Sequence, residues 1–371
     1  MSRILLCGAF GQDNPGDDAL LEAFLDAVRG HDVVVATPAD VGRPDVTTVR
    51  PTGRAVGPVF GDIDAVVVAG GTIFKSLPPA SGRRHLGLLT RTAALLAAAR
   101  ARDIPLALVG VGAGDLRSRT AARLARWTAD HADLLILRDE ESAGVLAGIG
   151  AAQPFRIGAD PAWTLFEGPH GSDGSRRDGV VIALSHLADP DLDRLVERLT
   201  HVAEPLIAKG VPVRIQPWQG DHGIDLLVAN RLLERLGEPP LAEIIPRPRS
   251  LHEAVERFTN ARAVVGLRHH ALVAAAVAGC PFLAVAHEPK LAGLARRLDQ
   301  PSVPPHATPA VMARSVVDLL DHDAATSDAV ETEIAAASRA MRLLRVVVSR
   351  GADEELVDRD RLDLTTSGTA W

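Results

Sequence analysis

From Ile4 to Arg345 the chain alternates short apolar runs with longer segments of helical period, and it passes through that alternation twice. Apolar runs without a polar face are strands buried on both sides, which requires parallel sheets covered by helices on each face. In the first half the expected strands are Ile4–Cys7, Asp32–Ala36, Ala65–Val68, Leu106–Val109 and Leu134–Leu137. Helices are expected between them. Asp17 to Arg29 carries Leu20, Leu21, Phe24, Leu25 and Val28 on one stripe and is closed by Gly30, and further helices fit Arg84–Arg102, Arg119–His131 and Glu140–Ile149.

The alternation breaks once, at Glu167–Asp178, a stretch of Gly, Ser and charge with no apolar period. It restarts with strands at Val180–Leu184, Val213–Gln216, Ala263–Gly266 and Phe282–Val285, and helices at Asp191–Ala208, Gly223–Arg235, Leu251–Phe258, His269–Ala278, Leu291–Leu298, Pro309–Asp321 and Thr332–Arg345. Helix starts are signalled by Ser250 with Glu253 at capping-box spacing and by Thr308 before Pro309. A chain of 371 residues exceeds what one core organises. The fold class expected is therefore α/β, with two Rossmann-like domains facing across a cleft. The boundaries expected are 1–166 for the amino-terminal domain, 167–179 for a linker, 180–350 for the carboxyl-terminal domain and 351–371 for a polar, disordered tail.

Hydrophobic residues at 47% and charged residues at 23% are globular composition. Aromatics are only 3%, with no Tyr, so the cores must be aliphatic and stacking platforms for single-stranded nucleic acid are excluded. A net charge of −7 without a long basic run argues against any nucleic acid. The two cysteines, Cys7 and Cys280, lie in or beside apolar runs and read as buried thiols of a reducing compartment, without metal-ligand spacing. No signal peptide opens the chain, and Ala271–Ala286 is broken by Gly279 and Pro281 before it reaches the roughly 20 residues of a membrane span. The expectation is a cytoplasmic protein without a transmembrane segment, compatible with peripheral membrane contact.

Six segments past apolar strands carry the chemistry. Gly8-Ala9-Phe10-Gly11-Gln12-Asp13-Asn14-Pro15-Gly16-Asp17 joins the first strand to the first helix. It has neither dinucleotide nor Walker spacing. It fits a polyol site lined by Asp13, Asn14, Asp17 and Asp18, or equally a tight turn with Asp17 as a helix cap. Ala69-Gly70-Gly71-Thr72 offers backbone amides at the carboxyl end of a parallel strand, and Gly110-Val111-Gly112-Ala113-Gly114 reads as a third glycine turn in the same cleft. Arg138 fits a cleft-rim anion ligand or a surface charge.

Arg268, His269 and His270 gather positive charge and proton donors at a helix start, where the helix dipole already favours an anion. Adjacent histidines point to different sides of a helix, so they form no metal pair; one should face the cleft and the other pack or be solvated. The same pair also fits simple capping. Lys290 returns to the same sheet edge one helix and one strand later, and alone reads as either a second cation of that site or a solvated lysine.

Together these residues resemble the polysaccharide pyruvyl transferase family. Its Gly-x-x-Gly-x-x-Asn-x-Gly-Asp-x-Ala pattern appears as Gly8, Gly11, Asn14, Gly16, Asp17 and Ala19, and its Arg-Asp-x-x-Ser as Arg138, Asp139 and Ser142. Its Ala-Asp-Pro-Ala is Ala159 to Ala162, its Arg-x-His-Ala is Arg268, His270 and Ala271, and its Asp-Pro-Lys is Glu288, Pro289 and Lys290. This chain departs from the family at His269, where an aliphatic residue is usual, at Ala69, where a glycine triplet is common, and at Glu288.

The resemblance implies a glycosyltransferase B-like architecture and a transferase of polysaccharide biosynthesis serving the cell envelope. The reaction it implies moves the pyruvyl group of phosphoenolpyruvate onto two hydroxyls of a sugar or lipid-linked glycan, forming a cyclic ketal and releasing phosphate. No cofactor or metal is implied; phosphoenolpyruvate is a co-substrate. By matched position Arg138, Arg268 and Lys290 bind that donor, His270 is the general acid beside Arg268, and Gly11, Asn14, Gly16, Asp17, Gly70 and Gly71 receive the acceptor. The competing enzyme reading is a nucleotide-sugar glycosyltransferase of the same architecture, with Arg268 and Lys290 on a diphosphate. The third reading is a non-catalytic carbohydrate-binding protein.

Overall fold

The computed structural model describes residues 2–38, 40–76, 87–152, 154–169, 177–220 and 223–349. Most of the expected linker and the whole tail from residue 351 lie outside these residues, as do residues 84–86 of the expected helix Arg84–Arg102. The chain divides into two compact units. The first comprises residues up to Gly11, Leu20–Pro161 and those from Ala336 onward; the second comprises Gln12–Ala19 and Ala162–Ala335.

The first unit contains β1 (Arg3–Cys7), most of α1 (Pro15–Ala27), β2 (Asp32–Ala36), β3 (Val46–Val49), a single turn α2 (Gly53–Val56), β4 (Ala65–Ala69), β5 (Thr72–Phe74), α3 (Gly87–Arg100), β6 (Leu106–Ala113), α4 (Arg119–His131), β7 (Leu134–Leu137), α5 (Glu140–Gly148) and β8 (Arg156–Ile157). Its sheet runs β3-β2-β1-β4-β6-β7-β8, with β5 pairing β6, and every pairing is parallel. The order follows burial: β4 is buried at every position and lies centrally, whereas β3 and β8 are polar or exposed and lie at the edges.

The Gly110–Gly114 segment is not a turn. Strand β6 continues through Ala113, because Gly110, at φ +65°, absorbs one residue as a bulge against β7. A Cβ there would stand 2.3 Å from Pro161, so the bulge also needs glycine for space.

The second unit contains β9 (Val180–Ala183), α6 (Leu192–Ala208), β10 (Val213–Gln216), α7 (Ile224–Arg235), β11 (Ala242–Ile244), α8 (Leu251–Thr259), β12 (Ala263–Gly266), α9 (His269–Val277), β13 (Phe282–Val285), α10 (Pro289–Arg297), β14 (Ser302–Val303) and α11 (Pro309–Asp318). The strands run β11-β10-β9-β12-β13-β14, all parallel. One core cluster of this unit is built from Val, Leu, Ile, Ala and Met alone, as the aliphatic composition demands, while Trp218, Phe258 and Phe282 are buried outside it. Helix α9 is buried at every position, as its apolar run Ala271–Val277 requires, with His269 and His270 buried at its start. Thr308 caps α11 through Val311 N–H with Pro309 following, and Ser250 caps α8 through Glu253 N–H. The Glu253 carboxylate accepts from Arg249 N–H, one residue before the expected partner of a capping box.

The expected domain boundaries fall elsewhere in the packing. The second unit begins at Ala162, and helix α12 (Ser327–Val348) starts in it and ends in the first. In the first unit Arg345 donates to the Ala27 carbonyl, and the Val348 carbonyl accepts from Ser2 Oγ, both at 2.9 Å. An amphipathic stripe encodes a helix but not which sheet it covers. No helix among the described residues is long and apolar enough to cross a membrane.

Candidate functional site

In an open parallel sheet the ligand crevice lies outside the carboxyl ends of the two strands where the order reverses. In the first unit those strands are β1 and β4, which end at Gly8–Gly11 and at Gly70–Gly71. Gly70 and Gly71 both take positive φ, +58° and +75°. In the second unit they are β9 and β12, which end at Ser185–His186 and at Leu267–His270.

Residues 12–19 belong to the second unit. Asp13 pairs with Arg247, and its carbonyl accepts from Gly220 N–H at 3.0 Å. Asn14 caps α1: its Oδ1 accepts from Gly16 N–H at 3.1 Å, and its Nδ2 donates to Asp17 at 2.8 Å, with Pro15 at the first helical position. The cap is thus Asn14 and not Asp17. Gly16 lies against the His270 ring; a Cβ there would stand 2.1 Å from Nδ1. Its φ is not positive, so Gly16→Ala is a purely steric change. It is expected to push His270 aside and lower turnover about 10²-fold, with an unchanged melting temperature. A fully active Gly16→Ala protein would show that the ring has room to move.

Arg268 is the residue before α9, and its Nη2 donates to Gln219 Oε1 at 3.0 Å and to Asp225 Oδ2 at 3.4 Å. Its Nε has no hydrogen-bond partner among the described residues. Lys290, at the start of α10, pairs with Glu288 at 2.5 Å. Burial raises the Asp17 carboxyl above its ordinary value, against the pull of His270, Arg268 and Lys290 and a hydrogen bond from Asn14. One carboxylate therefore lies within electrostatic reach of Arg268, Lys290 and the His270 ring. His269 and His270 are both buried and meet edge to face at 5.4 Å, so neither is solvated. Nothing in this geometry explains why His269 replaces an aliphatic residue.

Behind the cluster stands Asp225, fully buried near the start of α7. Its Oδ1 accepts from His186 N–H at 2.8 Å and from His186 Nδ1 at 2.6 Å. Its Oδ2 accepts from Trp218 N–H, Gln219 N–H and Arg268. Burial opposes ionisation here, but the His186 hydrogen bond and the Arg268 charge prevail and hold the carboxyl at about 2. A depressed carboxyl contributes stability that is complete above its unfolded value near 4 and lost as pH falls through 2. For Asp225 that contribution is roughly 2 kcal/mol. Urea denaturation across that range should show it in the native protein and not in Asp225→Asn.

Arg138 and the glycines expected to receive the acceptor, Gly11, Gly70 and Gly71, belong to the first unit. Arg138 is 3% exposed, and its guanidinium meets Asp139 at 3.1 Å, Asp160 at 3.5 Å and Thr72 Oγ1 at 3.5 Å. Asp139 in turn caps α5 through Ser142 N–H and accepts from the Ser142 hydroxyl. The Arg-Asp-x-x-Ser pattern is thus a buried ion pair fused to a helix cap. The first unit also carries an open pocket of about 270 Å³ between α3 and residues 51–60, lined by Val56, Phe60, Val68, Ile73 and Leu95, with Arg91 and Arg102. None of the expected acceptor residues lines it.

Sequence reasoning missed Asp225, Gln219 and His186. Asp225 looks like an ordinary acid in a first helical turn. His186 carried a usable signal, since it follows an apolar strand just as Arg268 does. No group of three or more His, Cys, Asp or Glu side chains placed to hold a metal occurs among the described residues.

The sequence model of the polysaccharide pyruvyl transferase family matches residues 14–289. No curated protein sequence matches the chain. Among solved structures it is similar to the UDP-GlcNAc 2-epimerase of Methanocaldococcus jannaschii, solved with UDP-GlcNAc and UDP, at 13% identity and TM-score 0.61 over 93% of this chain and 99% of that one. It is similar to Anabaena HepE, solved with UDP-glucose, at 14% identity and TM-score 0.58 over 99% and 100%. WaaG, a glycosyltransferase of lipopolysaccharide biosynthesis, is similar at 12% identity and TM-score 0.53 over 98% and 100%. At these identities the likeness establishes the fold: two Rossmann-like halves of glycosyltransferase B type.

Proposed function

The chain belongs to the polysaccharide pyruvyl transferase family, and from that premise we propose that it transfers the pyruvyl group of phosphoenolpyruvate to two hydroxyls of a glycan sugar, forming a cyclic ketal and releasing phosphate. The observation that carries this reading is the grouping of Arg268, His270 and Lys290 at the carboxyl edge of the second sheet, all within electrostatic reach of Asp17. Two cations suit the carboxylate and phosphate of the donor, with the Nε edge of Arg268 facing no protein acceptor. A helix start behind them adds its dipole.

His270 is the general acid. It gives its proton to the methylene carbon of phosphoenolpyruvate, the first acceptor hydroxyl adds to the neighbouring carbon, and the second displaces phosphate from that carbon. One hydroxyl proton replaces the one His270 gave, and the other leaves with phosphate. Asp17 hydrogen-bonds the acceptor beside His270, on the helix that Asn14 caps. Gly11, Gly70 and Gly71 are assigned to the acceptor through their strand-end turns. Arg138 is assigned to the donor by the family pattern alone.

The test is phosphate release from phosphoenolpyruvate in the presence of candidate sugar and lipid-linked acceptors, followed by mass analysis for the ketal. Tight calorimetric binding of UDP-glucose, with no phosphoenolpyruvate binding and no phosphate release, would transfer the site to nucleotide-sugar chemistry.

A further inference from the structure

Addition of a hydroxyl to phosphoenolpyruvate needs two proton-handling groups, one to supply the methylene proton and one to take the hydroxyl proton. His270 is one of these in the reading above. We propose that His186 is the other: the general base for the attacking acceptor hydroxyl, held in its reactive tautomer by Asp225. This rests on the pyruvyl-transfer reading of the same site.

The placement comes from sheet order. His186 follows β9 and Arg268 follows β12, and these two strands are neighbours at the reversal point of the second sheet, where ligands bind. One carboxylate joins the two side chains, with Asp225 Oδ1 on the His186 ring at 2.6 Å and Oδ2 on Arg268 at 3.4 Å. A fully buried carboxylate that also receives three backbone N–H groups is acceptor only, so His186 Nδ1 must carry the proton. Nε2 then presents its lone pair. The carboxylate orients the imidazole and stabilises the imidazolium formed when Nε2 takes a proton, as in other base–orienter pairs. Access is open, since the His186 side chain is 17% exposed and its neighbour Leu187 is 60% exposed.

The protons balance. His270 protonates the methylene carbon, the acceptor oxygen bonds to the adjacent carbon, and His186 Nε2 takes the proton of that hydroxyl. The second hydroxyl then displaces phosphate, which carries off the second proton, and His186 returns its proton through solvent to His270. Charged groups around His186 are Asp225 from α7, Arg268 at the start of α9, and Asp189, whose carboxylate is held by Arg194 and Arg198 of α6.

The decisive variant is His186→Asn, whose amide reproduces the Nδ1 donor to Asp225 but has no Nε2. Phosphate release should fall about 10²–10⁴-fold with KM for phosphoenolpyruvate unchanged. The native enzyme should show a limb of kcat/KM that rises with pH as the base loses its proton, and His186→Asn should lack it. Full activity in His186→Asn would overturn the assignment. So would reduced activity with the rising limb intact, because His186 would then merely support Asp225. If His186→Asn melts below the assay temperature, His186→Gln is read against the same two outcomes. Failure of the native protein to release phosphate from phosphoenolpyruvate with any acceptor would instead defeat the transfer reading itself, independently of His186.

Discussion

Replacing His270 with Ala or Gln is expected to lower kcat for phosphate release by about 10²–10⁴-fold, equivalent to roughly 3–5 kcal/mol of barrier, while calorimetric affinity for phosphoenolpyruvate stays within a few-fold. The reasoning is local. In the proposed reaction His270 supplies a proton in the transition state, whereas Arg268 and Lys290 supply the charge that binds the donor in the ground state. Loss of affinity with kcat intact would make His270 a binding group. Turnover near the native value would remove the acid role altogether. His287 could not take the role over. Burial chiefly, with help from Lys290 and Arg268 against the opposing Glu288, holds its imidazole at about 4, so it is neutral at physiological pH. The Gln variant fills the space beside Gly16 better than Ala and guards against a collapse of the α1 start onto α9.

Replacing Arg138 with Met is expected to destabilise the protein by about 3–5 kcal/mol, because it removes the cation shared by two carboxylates, Asp139 and Asp160, that are almost wholly inaccessible. Urea denaturation measures it. Burial pushes the Asp139 carboxyl up, but Arg138 and the Ser142 hydrogen bonds outweigh it and hold it below its ordinary value. Stability from a depressed carboxyl is present above the unfolded value and disappears on acidification. The gap between the native protein and Arg138→Met should therefore be full at neutral pH and narrow as pH falls below about 4. A gap independent of pH would mean that packing, not charge, sets the loss. The donor role that the family pattern assigns to Arg138 separates from this in Arg138→Lys. That variant retains a charge, and a raised KM for phosphoenolpyruvate in a stably folded protein is the signature of donor binding.

The central strands were legible because each is an uninterrupted apolar run. Edge strands β3, β8, β11 and β14 were not, since they are two to four residues long and partly exposed. They form because a neighbour supplies their hydrogen bonds, and no run of their own announces them. Gly110 misled the reading for a related reason: a glycine at positive φ serves a turn and a bulge equally well, and only the partner strand β7 distinguishes them. In the candidate site, Arg268, His270 and Lys290 stood out because each follows an apolar strand and begins a helix. Asp225 gave no such sign, because its importance lies in what faces it.

The amino-acid sequence by itself determined two rounds of βα alternation, aliphatic cores, and a cationic group at the strand ends of the second half. These follow from periodicity and side-chain chemistry, which act over a few residues. Tertiary structure alone decided that residues 12–19 pack with the second unit, that α12 ends in the first, and that Asp225 joins His186 to Arg268. Each of these depends on which distant segments become neighbours. That choice is made by sheet order and by the burial of apolar faces, and no local pattern records it.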